Sequence, residues 1–322
     1  MPKLYPLQFE PLFRRYLWGG RRLASVLGKS IGEGSDYAES WEIVDRGADQ
    51  SVVASGELAG RTLHEIVMEH GAELFGRHAP QKSFPLLFKF LDAERTLSVQ
   101  VHPNDEQAAK LDPPDLGKTE AWVVLATEPG SLIYAGLKPG IGRAELAAAI
   151  DAGKCDECLH SFEPRVGDCV FIPAGTIHAL GAGLVIAEIQ QASDTTYRLF
   201  DWNRVDASGK SRPLHIAQSL DVIDYQRGPV NVQMPVPLAG LAERLVACDK
   251  FVLDRWQFDR PVELATGNAF RLLAVIGGEA TLEYAATTQR LPLGSTVLVP
   301  AVCETVRLAP HGKATLLVIG LP

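Results

Sequence analysis

Long apolar runs are missing from this chain, and no stretch approaches the ~18–20 residues a membrane-spanning helix needs. The opening MPKLYPLQFEPLFRRYLWGG also lacks the apolar core of a secretory signal, so the expected location is the cytoplasm, with no membrane partner. Cysteine is scarce. Its five copies (Cys155, Cys158, Cys169, Cys248 and Cys303) are odd in number and thinly spread, which argues against a disulfide framework and for free thiols. The one CxxC, Cys155-Asp-Glu-Cys158, has no second pair nearby and reads as part of a helix surface rather than a zinc ribbon or redox pair. Basic runs are absent too, and the formal charge is −8, which argues against nucleic acid or an anionic membrane as partner. A small anionic ligand remains compatible with that charge if lysines and arginines gather locally.

What is abundant is short stretches of β-branched and aliphatic residues broken by Gly and Pro, the pattern of barrels or sandwiches. With 322 residues, 46% of them hydrophobic, the chain has material for two packed cores. Helices are the minority. Thr62-x-x-Glu65 opens LHEIVMEHGAEL as a capping box, GRAELAAAIDAG reads as a second helix, and Asn104-x-x-Gln107 caps a short third. An internal repeat sets the organisation: Gly167-Asp-Cys-Val-Phe-Ile-Pro173-Ala matches Gly294-Ser-Thr-Val-Leu-Val-Pro300-Ala in spacing and pattern. Five residues beyond Pro173 stands His178, and five beyond Pro300 stands Thr305, so only the first copy keeps a metal-binding side chain. The Pro-rich stretch from Arg227 to Leu238 marks the boundary between two units.

In Leu97-Ser98-Val99-Gln100-Val101-His102 the alternation is strict, so a strand sends Ser98, Gln100 and His102 to one face. Glu120, in GKTEAW, stands at the entrance of the apolar strand VVLA. His178 lies between a strand and a Gly-rich turn, where backbone can approach a ligand closely. Two His, a Glu and an amide oxygen form a donor set suited to zinc. A second spacing, Gln100-x-His102-x3-Glu106, offers Glu106 instead, but Pro103-Asn104 interrupts the strand between them and favours Glu120. Further on, Glu188, Gln190, Asp194 and Arg198 occupy even positions and share a face if the chain stays extended. Lys118 projects with Glu120 by the same parity, and Ser98 is a candidate phosphate contact. Lys89 and Arg204 read as surface charge.

The segments YLWGG, AESWEIVD, FPLLFKFLDA, SVQVHPND, GKTEAW, PAGTIHALGAG and IAEIQQASDTTYRLFDWNR resemble, in order, the signature segments of type I mannose-6-phosphate isomerases. The similarity covers residues 10–225 by motif and the rest by pattern. It implies a mostly β fold of two cupin-type (jelly-roll) barrels with a few helices inserted in or flanking the first. The catalytic unit would be residues 1–235, and residues 240–322 would form a barrel without a metal site. It also implies one Zn2+ per chain, held by Gln100, His102, Glu120 and His178, and an active site that includes Arg198. The implied reaction interconverts mannose 6-phosphate and fructose 6-phosphate by proton transfer through an enediol. Lys118 and Arg198 would stabilise the enediolate or hold phosphate, and Glu188 or Asp194 would carry the proton. Two rivals remain on sequence: an iron or manganese cupin oxygenase or decarboxylase, and a non-catalytic sugar-binding cupin.

Overall fold

Antiparallel pairing of the short apolar segments dominates the computed structural model, which describes residues 3–205 and 209–322. The fold is mostly β, as the punctuated apolar pattern predicts. A six-stranded sheet runs in the order Cys169–Ile172, Glu120–Thr127, Leu184–Gln191, Leu86–Ala93, Tyr37–Ile43, Leu12–Gly20. A five-stranded sheet runs Leu159–Phe162, Ile133–Leu137, His178–Leu180, Val99–Val101, Tyr197–Phe200. Trp122, Val124 and Ile186 of the first pack with Ile133, Ala135 and Leu180 of the second, so the two enclose one interior. From residue 236 onward a second six-stranded sheet and a four-stranded sheet repeat this arrangement, and Thr296–Val299 takes the edge place in its six-stranded sheet that Cys169–Ile172 takes in the first.

The large first sheet is covered on both faces. Phe88, Phe90, Ala121, Val123, Val185, Ala187 and Ile189 pack with Leu253, Phe270, Leu272, Leu317 and Ile319 of the second unit. Alternation then turns the intervening residues inward: Lys89, Glu120, Trp122 and Glu188 lie on the face toward the five-stranded sheet. Double coverage makes the eight-residue strand Leu184–Gln191 buried throughout, so its inward Glu188 has no solvated face to occupy.

The three anticipated helices are present. Leu63–Phe75 starts at Thr62, whose hydroxyl accepts from Glu65 N while the Glu65 carboxylate accepts from Thr62 N. Arg143–Asp151 is the second helix, and Asp105–Ala108 follows a reciprocal Asn104–Gln107 box. The CxxC departs from its expected place: Cys155–Cys158 is a 3-10 turn whose two cysteines are buried, and burial pushes the Cys155 thiol up to about 12. Unreactive core packing is the consequence.

The units also meet near opposite ends of the chain. Leu7 N–H donates to Leu298 O and Leu298 N–H to Leu7 O, both at 2.8 Å, and Leu4, Leu7 and Phe9 enter the core shared with Phe270. Among the described residues no helix is long and apolar enough to cross a membrane.

Candidate metal centre and active site

Three strands bring the centre together. His178 pairs with Gln100 across the five-stranded sheet, while Glu120 opens a strand of the facing sheet and opposes Gln190. His102, Glu120 and His178 are buried, and one ligand atom of each lies within 4.8 Å of the others. His178 Nε2 stands 3.3 Å from Glu120 Oε1, and His102 Nε2 stands 3.6 Å from Glu120 Oε2. Each imidazole uses its other nitrogen elsewhere: Nδ1–H of His102 donates to Thr195 O at 2.9 Å, and Nδ1–H of His178 donates to Thr176 O at 2.8 Å. Both Nε2 atoms are thereby left with free lone pairs beside the carboxylate. The Gln100 amide reaches His178 Nε2 at 3.3 Å, and turning it over offers its oxygen as a fourth donor. Glu106, the alternative carboxylate, is exposed on the short Asp105–Ala108 helix.

The protonation states suit a cation. Burial, then the Lys118 and His178 charges, hold His102 well below its usual pKa, and burial pushes His178 down to about 4, so both rings are neutral near pH 7. Burial and the facing Glu188 raise Glu120, while Lys118 opposes them. Glu120 Oε1 is buried and, among the described residues, accepts no hydrogen bond. An acceptor left so costs about 1–3 kcal/mol unless something satisfies it, and a metal ion would. The donor set therefore fits zinc: two neutral imidazoles, one carboxylate with an orphaned oxygen, and one amide. Lys118 Nζ already donates to Glu120 Oε2 and to His102 Nε2 (3.1 Å), so a metal would compete with the ammonium for these atoms. Glu188 Oε1, 3.6 Å away, is the other partner within its reach.

Beside this centre lies a cavity of about 280 Å³, whose lining includes Ser98, Gln100, Lys118, Glu188, Asp194 and Arg198. Its floor is a cross-strand row in which Lys89 opposes Glu188 and Glu188 opposes Trp122. Lys89 Nζ lies 3.3 Å from Glu188 Oε1 and 3.5 Å from Glu39 Oε1, while Trp122 Nε1–H donates to Glu188 Oε2 at 3.1 Å. Burial alone would raise the Glu188 carboxyl, but Lys89 and Lys118 outweigh it and hold it ionised. At the other end, Arg198 Nε–H donates to Ser98 Oγ at 3.3 Å, and Arg212 adds a second guanidinium, anchored to Asp201 at 2.6 and 2.7 Å.

Several expectations need correction. Lys89 is not surface charge: it is 6% exposed and lies on the cavity floor. Arg204, by contrast, stays a partly exposed charge outside this cavity, tied to Asp201 and to Thr96 O. Nor does the chain stay extended from 188 to 198. It leaves one sheet at Gln191 and enters the other at Tyr197, so Glu188 and Arg198 meet the cavity from facing sheets, with exposed Asp194 on the link. Gln190 does not line the cavity, and its amide donates to Gln191 O and Ser193 O. Glu39, Tyr16, Trp18 and Arg212 were not anticipated. Parity along Tyr37–Ile43, once the Trp41–Lys89 register is known, is the signal for Glu39.

Residues 6–120 match the family model for the catalytic domain of type I phosphomannose isomerase. Mannose-6-phosphate isomerase ManA of Bacillus subtilis is 37% identical over 92% of this chain and 93% of its own, and mannose-6-phosphate isomerase of Streptococcus mutans is 35% identical over 92% of each. The crystal structure of mannose 6-phosphate isomerase from Bacillus subtilis superposes with a TM-score of 0.89 at 30% identity, covering 98% of this chain and 99% of that one. Likeness at this level runs through both β units as well as the segments that build the cavity, and on it the chain belongs to the type I phosphomannose isomerase family.

Proposed function

We propose that this protein is a zinc-dependent aldose–ketose isomerase that interconverts D-mannose 6-phosphate and D-fructose 6-phosphate, with one metal per chain. The observation that carries this reading is the neutral His102–His178 pair around a buried, under-satisfied Glu120, set beside a cavity with an ammonium–carboxylate floor and a guanidinium end. Gln100, His102, Glu120 and His178 would hold zinc, which when bound supplies Lewis-acid polarisation of substrate oxygen.

The remaining steps belong to the chain. Arg198, Ser98 and Arg212 receive the phosphate, since guanidinium groups match its oxygens in pairs. Lys118 stabilises the negative charge that develops on sugar oxygen as the enediolate forms. Glu188 takes the proton from C2 of the aldose and returns it to C1, while the O2 hydroxyl proton passes to O1 to leave the ketose. The buried Oε1 of Glu188 lies 3.3 Å from the Lys89 ammonium and 3.6 Å from that of Lys118, and the two cations keep it ionised and ready to accept. Asp194, on the exposed link, contributes a carboxylate to the cavity lining and is the second candidate to carry the proton. The division at 1–235 and 240–322 assigns this chemistry wholly to the first unit.

The test is turnover of mannose 6-phosphate in D2O, with glucose and allose 6-phosphates as comparators. Early samples should contain fructose 6-phosphate carrying some deuterium, and both turnover and label should fall together in Glu188→Gln. Failure to form ketose defeats the functional reading. Absence of label together with full activity in Glu188→Gln and in Asp194→Asn defeats the proton-transfer route.

A further inference from the structure

The two imidazoles of the centre are oriented in different ways. His178 donates to the carbonyl of Thr176, two residues back in its own Pro-Ala-Gly-Thr-Ile-His turn, so local backbone sets that ring. His102 has no such local acceptor and donates instead to the carbonyl of Thr195, far along the chain on the link between the two sheets. A carbonyl on a connecting segment orients a ligand only if the segment is itself held.

What holds it is a clamp outside the cavity. Thr195 Oγ1–H donates to Asp115 Oδ2 at 2.6 Å, and Ser193 Oγ–H donates to the same oxygen at 3.2 Å. Ser193 Oγ in turn accepts from Thr195 N–H at 3.3 Å. Arg46 grips Asp115 through two parallel hydrogen bonds, Nη1 to Oδ1 at 2.7 Å and Nη2 to Oδ2 at 2.9 Å, and also donates to Ala192 O at 3.1 Å. Asp115 is the mostly buried partner and sits on the loop between His102 and Glu120. One carboxylate thus fastens three segments: the strand end at Arg46, the loop leading into Glu120, and the link that carries Asp194 and Thr195. Bidentate geometry fixes the carboxylate plane as well as its charge.

We infer that Asp115, gripped by Arg46, is a positioning residue for the metal centre, acting through Thr195 on the ring of His102. It touches neither substrate nor metal. The inference rests on the reading of His102 as a ligand, and a parallel His102→Ala measurement separates the two.

The experiment measures zinc affinity by chelator competition, together with the thermal shift that zinc produces, in purified full-length Asp115→Asn, Thr195→Val and Arg46→Lys. Asp115→Asn and Thr195→Val leave the Thr195 carbonyl in place but loosen it, so they should weaken zinc binding by about 3- to 10-fold, below the roughly 10- to 100-fold of removing a ligand's outer partner outright, and should shrink the zinc-induced shift. Arg46→Lys, which keeps the charge and loses the fork, should weaken it less. Glu243→Gln, which breaks the comparable Arg255–Glu243 pair in the second unit, should leave zinc affinity unchanged. Wild-type zinc affinity in both Asp115→Asn and Thr195→Val, with only an equal drop in melting temperature with and without metal, would overturn the inference. Should Asp115→Asn fail to fold, Thr195→Val decides alone, because it keeps the backbone carbonyl and removes only the hydroxyl. If His102→Ala itself retains zinc, the ligand reading has failed instead.

Discussion

The two β units use one scaffold for opposite interiors. The second fills its sandwich with Phe258, Leu273, Val275, Leu282, Val297, Leu308 and Leu316, and the buried polar side chains among its described residues are Thr266 and Thr296. The first encloses Glu39, Lys89, His102, Lys118, Glu120, His178 and Glu188 at comparable depth. The matched Gly-to-Pro strands show where they diverge: beyond Pro173 the chain turns inward to His178, whereas beyond Pro300 it reaches Thr305, which is exposed and pairs with Ala265. Burying charge costs several kcal/mol per ion unless partners compensate, so the first interior carries an expense that the second avoids. Its wide hydrocarbon interface with the second unit is one compensation.

The sharpest test of this contrast is loss of a proposed ligand. His102→Ala or His178→Ala should remove the metal and lower kcat by roughly 10³-fold or more, the upper range for losing a preorganised electrophile. Metal analysis after dialysis should read about one equivalent in the wild type and near none in either variant. Next in size is the cation floor: Lys89→Met leaves Glu39 and Glu188 buried without their shared ammonium, and stability should fall by about 3–5 kcal/mol in chemical denaturation, with activity falling too. Arg198→Ala should raise KM about 10- to 100-fold with a smaller change in kcat, as expected for loss of charge-assisted hydrogen bonds to phosphate. The reverse split would move Arg198 to the reacting oxygens. Smallest on chemistry is the apolar barrel: Leu282→Ala should cost about 2–5 kcal/mol of stability while kcat stays near wild type. A large fall in kcat there would break the division of labour between the units.

Much of the centre was legible because its residues sit on short alternating strands. Ser98, Gln100 and His102 could be placed on one face by parity, and Pro103, by ending the strand, favoured Glu120 over Glu106, which stands exposed on the short helix. Capping boxes located two helices for similarly local reasons, and the Gly-to-Pro repeat announced two units. Lys89 was misjudged because its neighbours in space, Glu188 and Trp41, belong to other strands, and only register joins them. Extrapolating parity from Glu188 to Arg198 failed at the sheet-to-sheet link, although the cavity between the sheets receives both ends. The CxxC turn was misplaced because a 3-10 segment has no amphipathic period to betray burial.

The hydrogen-bonded bridge between Leu7 and Leu298 bears on how this protein is made and handled. Thr296–Val299 is an outermost strand of its sheet, and without Leu7 its free backbone groups would be available to another molecule. During translation the segment around Leu7 is made well before the strand it covers, and its place exists only once Thr296–Val299 has followed. The backbone cover of this edge strand at Leu298 comes from outside the second barrel, so a product trimmed of the Leu7 segment is exposed to aggregation at that strand. Expression tags and truncations near residue 7 act on the far end of the chain, and their cost should appear as lost solubility before any change in turnover.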